Sequence, residues 1–412
     1  MVLFMLKNTS PLKGINVLDV SRILAGPSCT QLLGDYGADV IKIERPQCGD
    51  DTRQWGPPFL KGSDGNDSNE SAYYLSANRN KRSLSLNIAT PEGKDIVKNL
   101  VKDSDVFIEN FKVGGVKKLG LDYESLKKIN PQLIYCSISG FGQTGPYADL
   151  PGYDFMIQAM GGIMSLTGPE DGEPYKVGVG IADIMCGMYA CTAILAALRH
   201  RECTDEGQYI DVSLMDSQVA WLVNSAQNYL TSDQQPERYG NGHPNIVPYE
   251  VFPTSDGYFA LAVGNDAQFV SFCQVIKHPD LAENQQYQTN RSRIINRKKL
   301  ISLLRKILIN ESSSFWLKEL KKSNVPCGPV NNIKQVFEDP QILARGMKLK
   351  MPHPSIPNEA INLIGNPIKF SRTPVSYRHS PPELGQHTSR ILSERLGFSD
   401  KQIEQYRQQG II

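Results

Sequence analysis

GINVLDVSRILAGPSCTQLLGDYGADVIKIE, residues 14–44, is the stretch whose reading decides the fold. Residues 14–21 form a β-branched apolar run, read as a strand buried on both faces. Ala25-Gly26-Pro27 breaks the run, and Pro27 suits the first turn of a helix, where a missing N–H is no loss. A helix is expected over 28–36, stopping at Gly37, and a second strand over 38–44. Strand, short helix, strand is a βαβ unit, which implies parallel pairing through a right-handed crossover.

The pattern continues outward. Strands are expected at 83–88, 105–109 and 133–139, with a helix over 91–102 opened by Thr90-Pro91 and a shorter one at 123–129. Such alternation argues for an α/β protein with a large, doubly wound, mostly parallel Rossmann-like sheet. Further helices are expected at 155–164 and 214–229, with a strand at 208–213 between them. Residues 1–230 are read as the N-terminal part of this large domain. Residues 235–335 read as a smaller α+β domain, with a strand at 258–263 and helices at 267–276, 297–308 and 314–321. Residues 340–412 return to the large domain and include an amphipathic helix ending near Leu396.

The composition, 40% hydrophobic and 21% charged over 412 residues, excludes wholesale disorder. A formal net charge of +1 gives no electrostatic basis for a nucleic-acid or acidic-membrane partner. Eight cysteines show no C-x-x-C pair and no Cys/His cluster, so no metal site is expected. They read as free thiols in a reducing, cytoplasmic setting. Residues 1–6 are apolar but too short for a signal peptide. Residues 184–198 carry no charge. At 15 residues this run falls short of the ~18–20 that span a bilayer and is expected to be a buried core helix.

One G-x-G-x-x-G match occurs, Gly140-Phe141-Gly142-Gln143-Thr144-Gly145. Pro146 and Pro151 follow it, so no helix opens from the last glycine and the dinucleotide reading is weak. The P-loop and G-x-S-x-G patterns are missing. Attention falls instead on Asp183 in Gly178-Val179-Gly180-Ile181-Ala182-Asp183, at the mouth of the uncharged run. Alone, it reads equally as a helix N-cap or as a nucleophile toward an activated acyl group. In either case the helix terminus is expected to keep the carboxylate ionised. Tyr153-Asp154 reads as a helix start, or as a phenol donating a hydrogen bond beside an acyl site. Asn78-Arg79-Asn80-Lys81-Arg82 reads as a solvated loop or, with Arg45 and Lys118, as a phosphate site. His243 stands in a loop, 240–244, where a lone histidine is more often structural than catalytic.

These residues, taken in order, resemble the family III CoA-transferases from Pro11 to about Thr388. The elements that carry the likeness are Leu18-Asp19 through Ala25-Gly26-Pro27, the stretch 38–45, Asn80-Lys81-Arg82-Ser83, Thr90-Pro91-Glu92-Gly93, Glu109-Asn110-Phe111, Ser139-Gly140-Phe141-Gly142, and Gly152-Tyr153-Asp154 followed 30 residues after Tyr153 by Asp183. The resemblance implies that Asp183 is the nucleophile and Tyr153 an acyl-site hydrogen-bond donor. It implies two ring-shaped subunits threaded through each other as a homodimer. Coenzyme A or acyl-CoA would be bound as substrate, with no permanent cofactor. Contacts would come from Leu24, Ala25, Arg45, Leu86, Asn87, Ile88, Ala89, Asn110, Phe111, Lys112 and Lys118. Leu24 stands where formyl-CoA transferases have Gln, and their run of consecutive glycines is absent. The loop 240–249 and Leu384-Gly385-Gln386-His387-Thr388 look like the succinyl-CoA:dicarboxylate (glutarate) subgroup. Arg22 and His243 are then substrate-contact candidates, Arg22 for a distal carboxylate.

Two rival readings stand beside CoA transfer. A 2-methylacyl-CoA racemase needs a second proton-transfer group where this chain has Tyr153, and a phenol with a pKa near about 10 is a poor base at neutral pH. A non-catalytic acyl-CoA binding protein would keep the basic contacts but have no need of an acid at Asp183.

Overall fold

The computed structural model describes residues 10–62, 64–356 and 359–412, so the apolar start at 1–6 lies outside the described residues. Six strands build the large sheet: β1 Asn16–Asp19, β2 Asp39–Glu44, β3 Lys81–Ser85, β4 Val106–Glu109, β5 Ile134–Ser139 and β6 Tyr209–Ser213. They lie in the order β3-β2-β1-β4-β5-β6, and every neighbouring pair is parallel. This is the strand order of doubly wound nucleotide-binding sheets.

The apolar runs are continuous because both faces are covered. Val17, Val40, Val106, Ile134 and Cys136 point to one face, against α1 (Ala25–Asp35) and α5 (Ile181–Thr204). Their neighbours Leu18, Ile41, Phe107 and Tyr135 point to the other. That face is covered by α3 (Pro91–Val101) and by Ile391, Leu392 and Ile403 of the two C-terminal helices. The remaining helices of interest here are α2 (Ala72–Ala77), α4 (Asp154–Met160) and α6 (Leu214–Ala220).

Several boundaries differ from expectation. β3 starts at Lys81, which pairs with Val40, so residues 86–89 have already left the sheet. The helix expected over 155–164 ends at Gly161-Gly162, where Gly162 has φ +90°. The helix expected over 214–229 breaks after Ala220, and a second one, Val223–Ser232, begins at a residue with φ +35°. The run 184–198 lies in α5, which starts earlier, at Ile181. By length and composition alone α5 is able to cross a membrane. In this chain one face packs through Ala182, Cys186, Ala190, Ile194 and Leu198, while Met188, Tyr189 and Leu195 are exposed. It is therefore a half-covered helix in the single chain, not a fully buried one.

Two compact units divide the chain. The first comprises Met1–Gly161, Val177–Trp221 and Pro340–Ile412; the second, Gly162–Lys176 and Leu222–Asp339. Residues 162–176 join the second unit because Arg238 donates to the carbonyls of Pro169 and Gly172 and Lys298 pairs with Glu170. The second unit is α+β: an antiparallel sheet of Cys327–Pro329, Gly257–Ala262 and Tyr249–Thr254 backed by helices such as Arg297–Leu308. Leu300, Leu304 and Leu308 recur at helical spacing and bury against Phe252, Phe259 and Phe269.

Candidate active site

A parallel sheet in this order leaves a crevice at the carboxyl ends of its strands, where the connections from β1 and β4 depart in opposite directions. Two adjoining crevices lie there, both in the first unit. The first, about 290 Å³, is lined by Arg22, Arg45, Leu86, Asn87, Ile88, Ala89, Phe111 and Leu119, among others. The second, about 430 Å³, is lined by Arg22, Ala25, Asp51, Trp55, Asn110, Phe111, Lys112, Tyr153 and Asp183, among others. Arg22 and Phe111 belong to both, so one elongated ligand can follow the pair.

The wall between the crevices is the turn after β1. Ile23 there has φ +72°, a costly conformation for a β-branched residue. Its N–H donates to both carboxylate oxygens of Asp50 at 3.2 Å, and Asp50 pairs with Lys42 at 2.9 Å, both side chains sealed from solvent. The Asn110 amide accepts from the Arg22 N–H at 2.9 Å and donates to the Arg22 carbonyl at 2.7 Å, as a neighbouring strand would. Asn110's side chain is thus committed to Arg22. Asp51 holds the guanidinium groups of Arg22 at 2.5 Å and Arg45 at 2.8 Å, one on each oxygen.

The basic cluster 78–82 is neither a solvated loop nor a phosphate site. All five residues are buried, and Arg79, Lys81 and Arg82 pair with Asp35, Asp19 and Asp39. They are spent on the fold beneath the crevices. Removing one partner of such a pair would leave a buried charge, which is why these pairs are structurally binding.

Asp183 occupies the third position of α5. Its expected cap role falls to another residue. The N-cap is Gly180, which has no side chain, and the cap comes from Asp154 at the start of α4. Asp154 Oδ1 accepts from Ala182 N at 2.8 Å and from Asp183 N at 3.4 Å. Among the described residues nothing hydrogen-bonds the Asp183 carboxylate. Burial, with the like charge of Asp154 second, raises its pKa to about 7. The expectation that the helix terminus keeps it ionised is therefore corrected: the terminal N–H groups are already taken by Asp154.

Glycines bring the walls together. A Cβ on Gly187 would lie 2.5 Å from the Ala25 carbonyl oxygen, so glycine lets α5 pack onto the start of α1 one turn after Asp183. A Cβ on Gly140 would lie 2.5 Å from the Gly152 Cα, since those backbones touch at the crevice rim. The lone G-x-G-x-x-G match thus owes its first glycine to a backbone crossing. α1 opens at Ala25 with no side-chain cap, and its dipole favours negative charge at that wall.

Tyr153 is exposed on the rim. Leu24 does not line either crevice; its side chain meets Gly180. Lys118 is exposed beside Leu119 and is likewise outside both linings. His243 belongs to the second unit, where its ring packs on Tyr249 and its Nδ1 accepts from Asn245 N at 3.1 Å. Trp55 and Tyr73 went unread in the sequence. Trp55 lines the second crevice, and its ring meets Tyr73 of α2 edge-on at 5.1 Å. Burial and then the charges of Asp183 and Asp154 push the Tyr73 phenol up to about 12, so it stays a neutral donor near both carboxylates. Among the described residues no cluster of His, Cys, Asp or Glu is placed to hold a metal ion.

The arrangement offers a partly buried carboxylate without a partner, facing a crevice with cationic and helix-terminus neighbours. Comparison with known proteins agrees with that chemistry. The model of CoA-transferase family III matches residues 12–388. Succinate–glutarate CoA-transferase of Agrobacterium fabrum is 47% identical over 384 residues, 93% of this chain and 95% of its own. The human succinyl-CoA:glutarate CoA-transferase is 44% identical over 407 residues, 99% of this chain and 91% of its own. A crystal structure of a CaiB/BaiF family protein from Brucella suis, 48% identical, superposes with a TM-score of 0.83 over 94% of this chain and 100% of its own. On sequence and fold together, the chain belongs to CoA-transferase family III and is a CoA-transferase.

Proposed function

We propose that the enzyme moves CoA from succinyl-CoA to a free dicarboxylate such as glutarate, with Asp183 as nucleophile. An Asp183 oxygen attacks the thioester carbonyl carbon, the C–S bond breaks, and CoA leaves as thiolate. The product is a mixed succinyl–aspartyl anhydride. The thiolate then attacks the Asp183 carbonyl, which releases succinate and leaves an aspartyl-CoA thioester. A glutarate carboxylate attacks that thioester and expels CoA thiolate again. Attack of this thiolate on the glutaryl carbonyl of the second anhydride frees Asp183 and glutaryl-CoA. Water must be kept out while the anhydrides exist.

In this reading CoA lies along both crevices. Its nucleoside end sits among Leu86, Asn87, Ile88, Ala89 and Phe111, Arg45 and Lys112 face its phosphates, and Lys118 reaches them from outside the crevice lining. Ala25 flanks the thioester, with Leu24 behind it against Gly180. Tyr153 donates to the acyl oxygen, and Arg22 meets the distal carboxylate. The subunits pair as interlocked rings, and the enzyme works in the cytoplasm, a setting that suits eight free thiols.

One observation carries this proposal: a crevice carboxylate, Asp183, that no described residue engages. Incubation with succinyl-CoA followed by hydroxylamine is expected to leave an adduct on the peptide carrying Asp183. Asp183→Ala is expected to lose both adduct and transfer. An Asp183→Ala enzyme that still transferred CoA would sink the proposal.

A further inference from the structure

α5 must be capped from outside itself, because Gly180 has no side chain and Asp183 does not turn back to the helix. We propose that Asp154 is the positioning residue of the reaction: its carboxylate caps α5 in Asp183's stead and stands beside Asp183 as a fixed like charge. This rests on the reading of Asp183 as nucleophile and deepens it.

The geometry involves two side chains of α4. Asp154 Oδ1 takes the N–H groups of Ala182 and Asp183, and its Oδ2 accepts from Gln158 Nε2 at 2.7 Å. Gln158 is fully buried. Its Nε2 also donates to the Val179 carbonyl at 3.3 Å, and its Oε1 accepts from Val177 N at 2.8 Å. Four backbone groups between Val177 and Asp183 are thereby fixed by one acid–amide pair. Among the described residues every hydrogen bond to Asp154 comes from an N–H donor, and both of its oxygens accept.

Two consequences follow for Asp183. Its carboxylate is released from capping and left to the crevice. It also loses the stabilisation that free N–H groups at a helix terminus would give a negative charge. The groups around it are Asp154 of α4, the Tyr73 phenol of α2 and Cys186 one turn along α5. Across the crevice stand Arg22, Asp51, Lys112 and Tyr153. Burial first and Asp154 second hold Asp183 near about 7. A carboxylate of that basicity is a stronger nucleophile than an ordinary one, yet about half ionised at neutral pH. It is also a worse leaving group from its own anhydride, which favours the step that releases succinate and slows the last step, in which Asp183 is itself expelled.

The test is the pH dependence of the first-turnover rate of adduct formation at Asp183, with succinyl-CoA and no acceptor. The intact enzyme is expected to show a rising limb centred near pH 7; a limb at the ordinary carboxylate range would overturn the proposal without any variant. Asp154→Asn keeps an oxygen for the cap and removes the charge. Its limb is expected to move acid-ward by about one pH unit, with a plateau within about tenfold of the parent. Gln158→Leu keeps the charge and removes the brace, so its plateau falls while its limb stays. An unmoved limb in Asp154→Asn, or an equal displacement in Gln158→Leu, refutes the role given to Asp154. Failure of the nucleophile reading looks different: no adduct forms at Asp183 in the intact enzyme at any pH.

Discussion

Asp154 of α4 and Asp183 of α5 divide the work at the first turn of α5, one satisfying the backbone and the other left for chemistry. That division has a cost that pH exposes. Asp183 ionises near about 3.9 when unfolded and near about 7 when folded. Below pH 4 both states hold the proton and Asp183 has no effect on stability. As pH rises from 4 to 7 the unfolded state releases its proton first, so the fold loses stability, and above 7 the full penalty is present. Asp183→Asn removes the titration. The variant is expected to melt a few degrees above the parent at pH 8 and together with it at pH 4, as thermal melts across that range would record. A gap of the same size at both pH values would show that burial of the charge is not its origin. Asp183 was legible as a candidate because a lone charge before an uncharged run is conspicuous. The cap was not, since its acceptor, Asp154, comes from 28 residues upstream of Ala182 and no local pattern joins the two.

α5 turns a packing requirement into a catalytic position. Gly187 sits where the helix crosses the start of α1, with room for no Cβ against the Ala25 carbonyl and the Ser28 side chain. Alanine there gains about 1 kcal/mol in helix propensity. Overpacking at a rigid backbone contact costs about 1–3 kcal/mol and displaces the helix. The second effect wins, so Gly187→Ala is expected to lower stability modestly in urea. It should also cut the transfer rate about 10–100-fold, because Asp183 is one turn away and moves with the helix. Normal transfer by a stably folded Gly187→Ala enzyme would mean that α1 and α5 need not touch for chemistry. Elements were read unevenly for a physical reason. Strands covered on both faces are continuous apolar runs and stood out; so did the Thr90-Pro91 cap, whose hydroxyl accepts from Gly93 N at 3.0 Å. Helix breaks at Gly161-Gly162 and Trp221 depend on backbone turns that apolar spacing does not encode. The long connection between β2 and β3, which supplies Asp50, Asp51 and Trp55 to the crevice walls and Tyr73 behind Trp55, shows no apolar period, so that wall was invisible in the sequence.

At the scale of the whole molecule, the sheet order places the ligand crevice at the switch between β1 and β4, as in dinucleotide-binding proteins, without their glycine fingerprint. The turn after β1 is held instead by a left-handed Ile23, Asp50 and Asn110, a device no sequence pattern announces. The family likeness, carried by short motifs in order, is what made the site residues nameable. One surface remains to be accounted for. On the first unit, Phe155, Met156 and Met160 of α4, Met188, Tyr189 and Leu195 of α5, and Val219 and Trp221 around α6 are all exposed in the single chain. Apolar residues scattered singly need no explanation, but these lie on three helices that pack together, and we expect so many exposed apolar side chains there to be covered by a second copy of the chain. We expect the enzyme in solution to have twice the 45.8 kDa mass of one chain by light scattering. Replacing both Met188 and Leu195 by Glu puts charges on the middle of this face and spares every crevice residue. The double variant is expected to fall to the single-chain mass or to aggregate, and a normal double mass would move the interface elsewhere.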